Sequence, residues 1–196
     1  YRTIREELAK TTIILSPGGA IAGMYARVDR ERGVWKAPAN VGLIGVTAPT
    51  VKITDKEQGD LNVNNPFGKS INIIRSFPGK GVLVWGARTL DGNNNEWRYV
   101  NVRRLFIMIE ESIEKATSFA VFEPNTASTW LKVKTMIESY LYGLWQRGAL
   151  AGAKPEHAYF VQVGLNLTMT AADINNGIMR VSVGIAAVRP AEFIII

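Results

Sequence analysis

The chain has 196 residues, of which 47% are hydrophobic, and it carries a formal net charge of +6 at neutral pH. This size and composition allow a sizeable buried core, so disorder is excluded as the default interpretation. The absence of cysteine excludes disulfides, thiolate metal sites and cysteine nucleophiles, and it fits a reducing compartment. The positive charge leaves two interpretations open, an acidic partner or a solvated basic surface.

The first sixty residues predict helices separated by turns. A charged helix opens the chain at residues 1–10 without a methionine, so we expect further sequence upstream. A second helix is predicted near residues 17–30, and Pro38 and Pro49 make long elements after it unfavourable. The asparagine-rich run 60–69 predicts a loop, and we place a boundary between residues 60 and 61.

The central part of the chain predicts a hairpin followed by two helices. Residues 71–75 and 82–87 are short apolar runs around the turn 78–81, which is typical of paired strands. Apolar residues then recur at helical spacing over residues 102–119, and again from about residue 125 to Gly148. The expected buried stripes are Phe106, Ile109, Ile113 and Ala116 on the first helix, and Trp130, Val133, Ile137, Leu141 and Leu144 on the second.

The last part of the chain alternates apolar and polar residues. This period of two over residues 159–169 and 178–188 predicts an antiparallel strand pair joined through a turn at 173–177. The order of strands, helices and strands predicts an α+β fold, in which two main helices cover a mixed or antiparallel sheet. We therefore divide the chain into residues 1–60, 61–185 and an extended C-terminal arm, 186–196.

No constellation of residues predicts catalysis. His157 is the only histidine, so a histidine metal cluster is excluded, and we interpret this residue as structural. Glu110, Glu111 and Glu114 fit the wet face of one helix better than an acid–base pair. Gly68-Lys69-Ser70 ends like a phosphate loop, but position 63 is valine where that motif needs glycine. We expect no enzyme activity, no metal and no cofactor.

Four arginines gather just before and within the start of the first long helix. The helix dipole already places positive charge there, so these side chains predict a carboxylate partner. That partner could be Glu96 or Asp91 of the same chain, or a group on another chain. Together with Trp97 and Tyr99, the cluster is also the nearest approach to a nucleic-acid-binding surface, which we keep as the alternative function. The arginines are Arg88, Arg98, Arg103 and Arg104.

Residues 65–196 resemble the C-terminal domain of contractile tail sheath proteins, as found in tailed phages, R-type bacteriocins and extracellular contractile injection systems. Five stretches in this order carry the resemblance, and residues 23–40 resemble the segment that precedes this domain. The resemblance makes residues 1–60 the end of the preceding domain and residues 61–185 the inner domain. The five stretches are 74–81, 84–90, 97–105, 122–125 and 188–193.

The resemblance implies a structural subunit that polymerises with copies of itself as six-fold rings, stacked helically around an inner tube. Contraction of the polymer would drive the tube through a target envelope. It further implies baseplate and tail terminator proteins as partners, no nucleic acid, no membrane and no cofactor. Assembly would take place in the bacterial cytoplasm, and the product would be a phage virion or a released phage-tail-like particle.

Two contact sites follow from the resemblance. The apolar end of the chain is expected to add a strand to a neighbouring subunit, although it could instead complete its own sheet. The second helix is expected to face an acidic tube through basic residues off its apolar stripe, although Lys134 could instead pair with Glu138. The expected inter-subunit strand comprises Val188, Arg189, Pro190, Phe193, Ile194, Ile195 and Ile196. The expected tube contacts are Lys132, Lys134 and Arg147.

Overall fold

The structure, a computed structural model, describes residues 1–63, 67–193 and 195. In that part of the chain the α-helices are α1 (Arg2–Lys10), α2 (Gly18–Arg32), α3 (Asp55–Asn62), α4 (Val100–Thr117), α5 (Ala127–Gln146), α6 (Pro155–Ala158) and α7 (Ala171–Asn175). The strands are β1 (Val41–Gly42), β2 (Ile73–Phe77), β3 (Gly81–Trp85), β4 (Tyr159–Val163) and β5 (Val181–Ile185).

Helix α2 packs on a three-stranded antiparallel sheet with the order β1-β3-β2. The hairpin of β2 and β3 pairs Ile73 with Trp85 and Phe77 with Gly81, which confirms the two strands predicted around the turn 78–81. Met24 and Val28 of α2 meet Val84 of β3 in a small buried group, here called the sheet cluster. This cluster joins α2 to the central strand of the sheet.

Helices α4 and α5 pack together over the antiparallel pair of β4 and β5, in which Tyr159 lies opposite Ile185 and Val163 opposite Val181. Their larger buried group, here called the helical cluster, confirms the predicted helices and the predicted strand pair. Both helices are long and strongly amphipathic, so their burial follows from the 3.6-residue period of the sequence. The members of the helical cluster are Leu105, Ile109, Val133, Ile137, Leu141, Leu144, Ala149, Leu150, Ala158 and Val161.

The apolar stripe of α5 was predicted correctly from Val133 to Leu144, but that of α4 was partly wrong. Leu105 is completely buried, whereas Ala116 is exposed and Phe106 is only half-buried. Phe106 instead packs edge-on against Trp97, with ring centroids 5.0 Å apart. The buried face of α4 therefore includes Leu105, which was not predicted. Phe106 lies outside the helical cluster because it packs against Trp97.

Three local predictions need correction. Asp60 to Asn62 close helix α3 instead of opening a loop, because the side chain of Thr54 and that of Glu57 cap its first turn reciprocally. The boundary proposed between residues 60 and 61 therefore falls inside a helix.

Strand β4 ends at Val163, because Asn166 adopts a positive φ of 61° in a tight turn and donates its N–H to the carbonyl of Met169. The remainder of the predicted loop, residues 64–66, lies outside the described residues.

The α+β class is confirmed, with helices packed on antiparallel sheet. In the part of the chain that the structure describes, the strands form two separate sheets where one was expected. The hairpin of β2 and β3 comes before the two long helices and the pair of β4 and β5 comes after them, and each pairs within itself. The helices of the described residues include none long and apolar enough to cross a membrane.

Candidate functional site

The C-terminal arm begins by pairing with its own subunit. The carbonyl of Ala186 accepts the N–H of Ala151 at 2.7 Å, and the N–H of Val188 donates to Ala149 at 3.4 Å. The carbonyl of Val188 also accepts the side-chain amide of Asn101 at 3.4 Å. Val188, expected in an inter-subunit strand, therefore has both backbone groups bonded within the chain.

Farther along the arm, Glu192 is held by two side chains from elsewhere in the sequence. Arg88 binds the carboxylate through two forked hydrogen bonds, with Nε donating to Oε1 at 2.9 Å and Nη2 donating to Oε2 at 2.7 Å. The hydroxyl of Tyr99 donates to Oε2 at 3.1 Å. The Arg88 side chain is only 3% exposed and that of Glu192 is 20% exposed. We call this arrangement the Glu192 anchor.

The neighbours of Arg88 fix the anchor in the three-stranded half of the molecule. The remaining guanidinium nitrogen of Arg88 donates to the carbonyl of Gly92 at 3.0 Å. The side chain of Asn72 bonds both backbone groups of Arg88, at 2.9 and 2.7 Å. Burial raises the pKa of Tyr99 above its ordinary value, and the negative charge of Glu192 adds to that effect. The tyrosine therefore stays a hydrogen-bond donor at neutral pH.

Beyond the anchor the arm is apolar and open to solvent. Phe193 is 64% exposed and Ile195 is 96% exposed. Arg189 is exposed and Pro190 half-buried, between the two points of attachment. Ile194 and Ile196 lie outside the described residues. Exposed β-branched and aromatic residues in sequence are a surface that favours pairing with another strand.

The two-stranded sheet offers a place for such a strand. Within the described part of the chain no third strand pairs with β4 or β5, so both outer edges lack a strand partner, although the residues just after β5 bridge to the loop after α5, with Leu150 opposite Ala187. A groove of about 630 Å³ opens at the start of β5, between Val181, the C-terminal end of α4 and the first half of α5. The apolar residues lining it include Ile113, Val121, Phe122, Met179 and Val181.

The predicted carboxylate partners of the arginine cluster exist, but they are different residues from the two considered. Arg88 pairs with Glu192, and Arg104 of α4 pairs with Asp29 of α2, with its two terminal nitrogens 2.8 and 2.5 Å from the two carboxylate oxygens. The hydrogen bonds that Arg104 donates to Asp29 raise the pKa of Arg104 above its ordinary value. Both pairs are intramolecular and neither uses Glu96 or Asp91.

The other two arginines have uncharged partners. Arg103 lies over the ring of Trp97 at 4.9 Å, and Arg98 donates to the side chain of Asn95 at 2.9 Å. Trp97 is thereby enclosed by Arg103 on one side and Phe106 on another. Residues of this chain therefore occupy part of the ring surface on which a base would stack, and the nucleic-acid-binding alternative is not supported.

The structure does not bring the three basic residues expected on α5 into one patch. Lys132 and Lys134 are two positions apart and so point about 160° apart around the helix axis. Lys134 pairs with Glu138 at 3.7 Å, while Lys132 is exposed. Arg147 lies beyond the end of α5, where it donates to the carbonyl of Gly143 at 3.1 Å and covers the ring of Trp35. Their role in binding a partner stays a prediction.

Glu192 and Asp29 were missed as functional candidates. Arg88 and Glu192 are 104 positions apart, and Arg104 and Asp29 are 75 positions apart, so no local spacing links them. The available signal was the excess of arginine before α4, which indicated the type of partner without its position. The groups considered for chemistry behave as surface residues: His157 and the carboxylates of Glu110, Glu111 and Glu114 are exposed. In the described ranges, no group of three or more acidic or histidine residues could hold a metal.

Two family models match the chain and together cover most of it. The phage tail sheath C-terminal domain matches residues 92–196, and the phage tail sheath protein central domain matches residues 4–90. The models meet near residue 91, between β3 and α4, some thirty residues after the division made at residue 60. The Arg88–Glu192 and Arg104–Asp29 pairs each join one model's residues to the other's.

Individual relatives carry the same description. The tail sheath protein of Burkholderia phage BcepMu is 36% identical over 138 residues, which are 68% of this chain and 28% of that protein. The tail sheath protein of Vibrio phage KVP40 is 30% identical over 135 residues, 67% of this chain and 19% of that protein. The chain therefore spans less than a third of these relatives.

Solved structures match almost the whole chain. A chain of the contracted PVC sheath complex, an extracellular contractile injection system, gives a TM-score of 0.90 at 54% identity, covering 94% of this chain and 51% of that one. A chain of the anti-feeding prophage baseplate gives 0.88 at 53% identity, covering 94% of this chain and 50% of that one. The chain spans about half the length of these solved relatives.

Proposed function

This chain belongs to the phage tail sheath protein family, and from that premise we propose that it is part of a structural subunit which polymerises around an inner tube and contracts. The subunit would have no catalytic role and would need no cofactor. Its partners would be further copies of itself, the tube, and the proteins at the two ends of the polymer. It would be assembled in the bacterial cytoplasm into a virion or a phage-tail-like particle.

One observation carries the proposal. Phe193 and Ile195 are exposed at the end of the arm, while the sheet of β4 and β5 has open edges beside an apolar groove. A single subunit leaves both surfaces uncovered, but a row of identical subunits satisfies them together if each arm adds a strand to the β5 edge of the next. Main-chain pairing would supply affinity, and the groove would accept the apolar side chains.

Repeated strand addition of this kind would link subunits without fixing their relative angle. Each link is a short segment between two folded bodies, so the bodies can rotate against each other while the segment stays paired. The solved relatives include a sheath complex in a contracted state, and this chain matches it as one folded unit. We infer that contraction moves subunits as rigid bodies joined by their arms.

Tube binding is the weaker part of the proposal and rests on α5. Lys132 is exposed and could meet an acidic tube surface, whereas Lys134 already has Glu138 as a partner. A single exposed pair contributes only about 0–1 kcal/mol, so holding the tube would depend on many repeated contacts. Lys132→Gln should weaken tube binding more than Lys134→Gln, and equal binding by both variants and the unmodified protein would contradict this assignment.

Arm donation is tested by comparing assembly of the full-length protein with and without the exposed apolar residues of the arm. The double variant Phe193→Asn and Ile195→Asn should yield single subunits where the unmodified protein yields rings or tubes, seen by negative-stain electron microscopy and sedimentation. Val51→Asn is the matched control, because Val51 is 63% exposed in a loop and Phe193 is 64% exposed. Equal assembly of both variants would contradict the proposal.

A further inference from the structure

The Glu192 anchor gives the arm a fixed point of exit from its own subunit. We propose that Arg88, Tyr99 and Glu192 hold the root of the arm at home, so that the segment given to a neighbour begins at Phe193 and not at Val188. The inference rests on the arm donation proposed above and specifies which residues take part in it. Arg88 and Tyr99 act as positioning residues, since neither lies in the donated segment.

The first step is the quality of the anchor. A forked pair between guanidinium and carboxylate is both strong and directional, because two parallel N–H bonds fix the plane of each group. Here the Tyr99 hydroxyl donates a further hydrogen bond to the Glu192 carboxylate, and the Arg88 side chain is almost fully buried. Removing the carboxylate would leave a buried guanidinium without its partner, which is unfavourable. The pair is therefore expected to stay closed while the rest of the arm moves.

The second step is what lies on either side of the anchor. Before it, the backbone of Ala186 and Val188 is bonded to Ala149 and Ala151. After it, Phe193 and Ile195 are exposed. The backbone bonds therefore end at Val188, and Glu192, held through its side chain, is the last point of attachment before the exposed residues. A strand that began at Val188 would have to break the bonds to Ala149 and Asn101 before it could reach a neighbour.

The third step is what the anchor connects. Glu192 belongs to the segment matched by the C-terminal domain model, whereas Arg88 belongs to the segment matched by the central domain model. The exit point of the arm is thus fixed to the three-stranded sheet through Asn72 and Arg88, and not only to the sheet from which the arm emerges. Any movement of the neighbour that pulls the arm would act on both halves of the subunit at once.

Hydrogen exchange tests the anchor in unassembled full-length protein. Glu192→Ala should make the bonded amides of Ala186 and Val188 exchange at least about tenfold faster, while α5 keeps its protection. Glu192→Gln, which keeps the shape and one acceptor oxygen, should fall between that variant and the unmodified protein. Glu111→Ala removes an exposed carboxylate of α4 and is the control. Unchanged exchange in Glu192→Ala would overturn the proposal.

Two milder variants cover the case in which Glu192→Ala does not fold. Tyr99→Phe removes one of the donors to the carboxylate and should accelerate exchange of the Ala186 and Val188 amides by about two- to fivefold. Arg88→Lys keeps the charge but loses the fork, and should accelerate it more than Tyr99→Phe. Exchange of these amides equal to that of the unmodified protein in both variants would overturn the anchor.

Exchange in assembled particles then locates the start of the donated segment. The peptide from Phe193 onward should gain protection on assembly, whereas the peptide with the already bonded amides of Ala186 and Val188 should change little. Equal gains in both peptides would overturn the proposed starting point. A faster-exchanging root in Glu192→Ala, combined with no gain anywhere in the arm on assembly, would support the anchor and contradict arm donation itself.

Discussion

The region of α4, α5 and the β4–β5 pair is built on a cluster of ten buried apolar residues, whereas the region of α2 and the three-stranded sheet has a cluster of three among the described residues. The second region compensates with polar bonds: exposed Asn72 links buried Asn62 to buried Arg88, and Arg104–Asp29 ties α2 to α4. The difference teaches that the helical region carries its own stability, while the sheet region depends on directional contacts and on its neighbour.

The strongest way to break this contrast is to open a cavity in the helical cluster. Leu141→Ala should lower the free energy of unfolding by about 2–5 kcal/mol, because Leu141 is completely buried between α5 and its neighbours. Urea unfolding followed by circular dichroism measures the loss. Leu131→Ala on the exposed face of the same helix should change it by less than about 0.5 kcal/mol. A loss below about 1 kcal/mol for Leu141→Ala would contradict the contrast.

The next largest effect is expected in the polar network of the sheet region. Asn72→Ala removes the partners of both backbone groups of Arg88 and should cost about 1–3 kcal/mol. Hydrogen exchange should show the loss in β2 and β3 before α5 is affected. Asn93→Ala, at an exposed position in the following loop, is the comparison. Uniform loss of protection in both regions would show that they unfold as one unit.

These two sites also show how far the sequence could be read. Val133, Ile137, Leu141 and Leu144 were predictable because burial on one helix face repeats at a fixed period. The network around Arg88 was not, because its members come from separate segments and its glutamate lies 104 positions away. Helix α3 had a readable signal in Thr54 and Glu57, the two ends of a capping box, but the asparagine-rich run from residue 60 predicted a loop over its last three residues.

The predicted length of strand β4 was wrong because the sequence pattern continues beyond the strand. Its alternating pattern continues through Leu165 and Leu167 to Met169, yet the strand ends at Val163. Gly164 and Asn166 supply a tight turn there, and a glycine within an alternating run is a known sign of such interruptions. Periodicity alone could not distinguish five paired residues from eleven.

A smaller effect is expected at the tie between the two regions. Asp29→Asn should cost about 1 kcal/mol, because the forked pair with Arg104 is partly exposed and solvent screens part of its attraction. The loss should shrink as salt is raised, measured by urea unfolding at two ionic strengths. Glu31→Gln alters a more exposed pair on the same helix and should have almost no effect. Equal effects of the two variants would show that the Arg104–Asp29 pair does not stabilise the contact between the two regions.

The smallest effect concerns the helix caps of α3 and α7. Hydrogen bonds from Thr54 and from Thr170 hold the pKa values of Glu57 and Asp173 below their ordinary values of 4.5 and 3.8. The unfolded chain then binds these protons more readily, so the caps stabilise above the ordinary values and are lost as the pH falls through the lower, folded ones.

Circular dichroism between pH 6 and the acid limit should show a small loss of helix in the unmodified protein. Glu57→Gln should remove the part of that loss belonging to α3, because the amide keeps a cap without a titrating proton. An identical pH profile for this variant would show that the Glu57 carboxylate does not contribute to the loss.

The Glu192 anchor has a mechanical consequence. Tension applied to the arm beyond Phe193 meets the side-chain fork to Arg88 before it reaches the backbone bonds of Ala186 and Val188. The load therefore passes sideways into the three-stranded sheet, and β5 is shielded from being peeled off β4 one bond at a time. The force needed to detach the arm is therefore expected to depend on the strength of the Arg88–Glu192 pair.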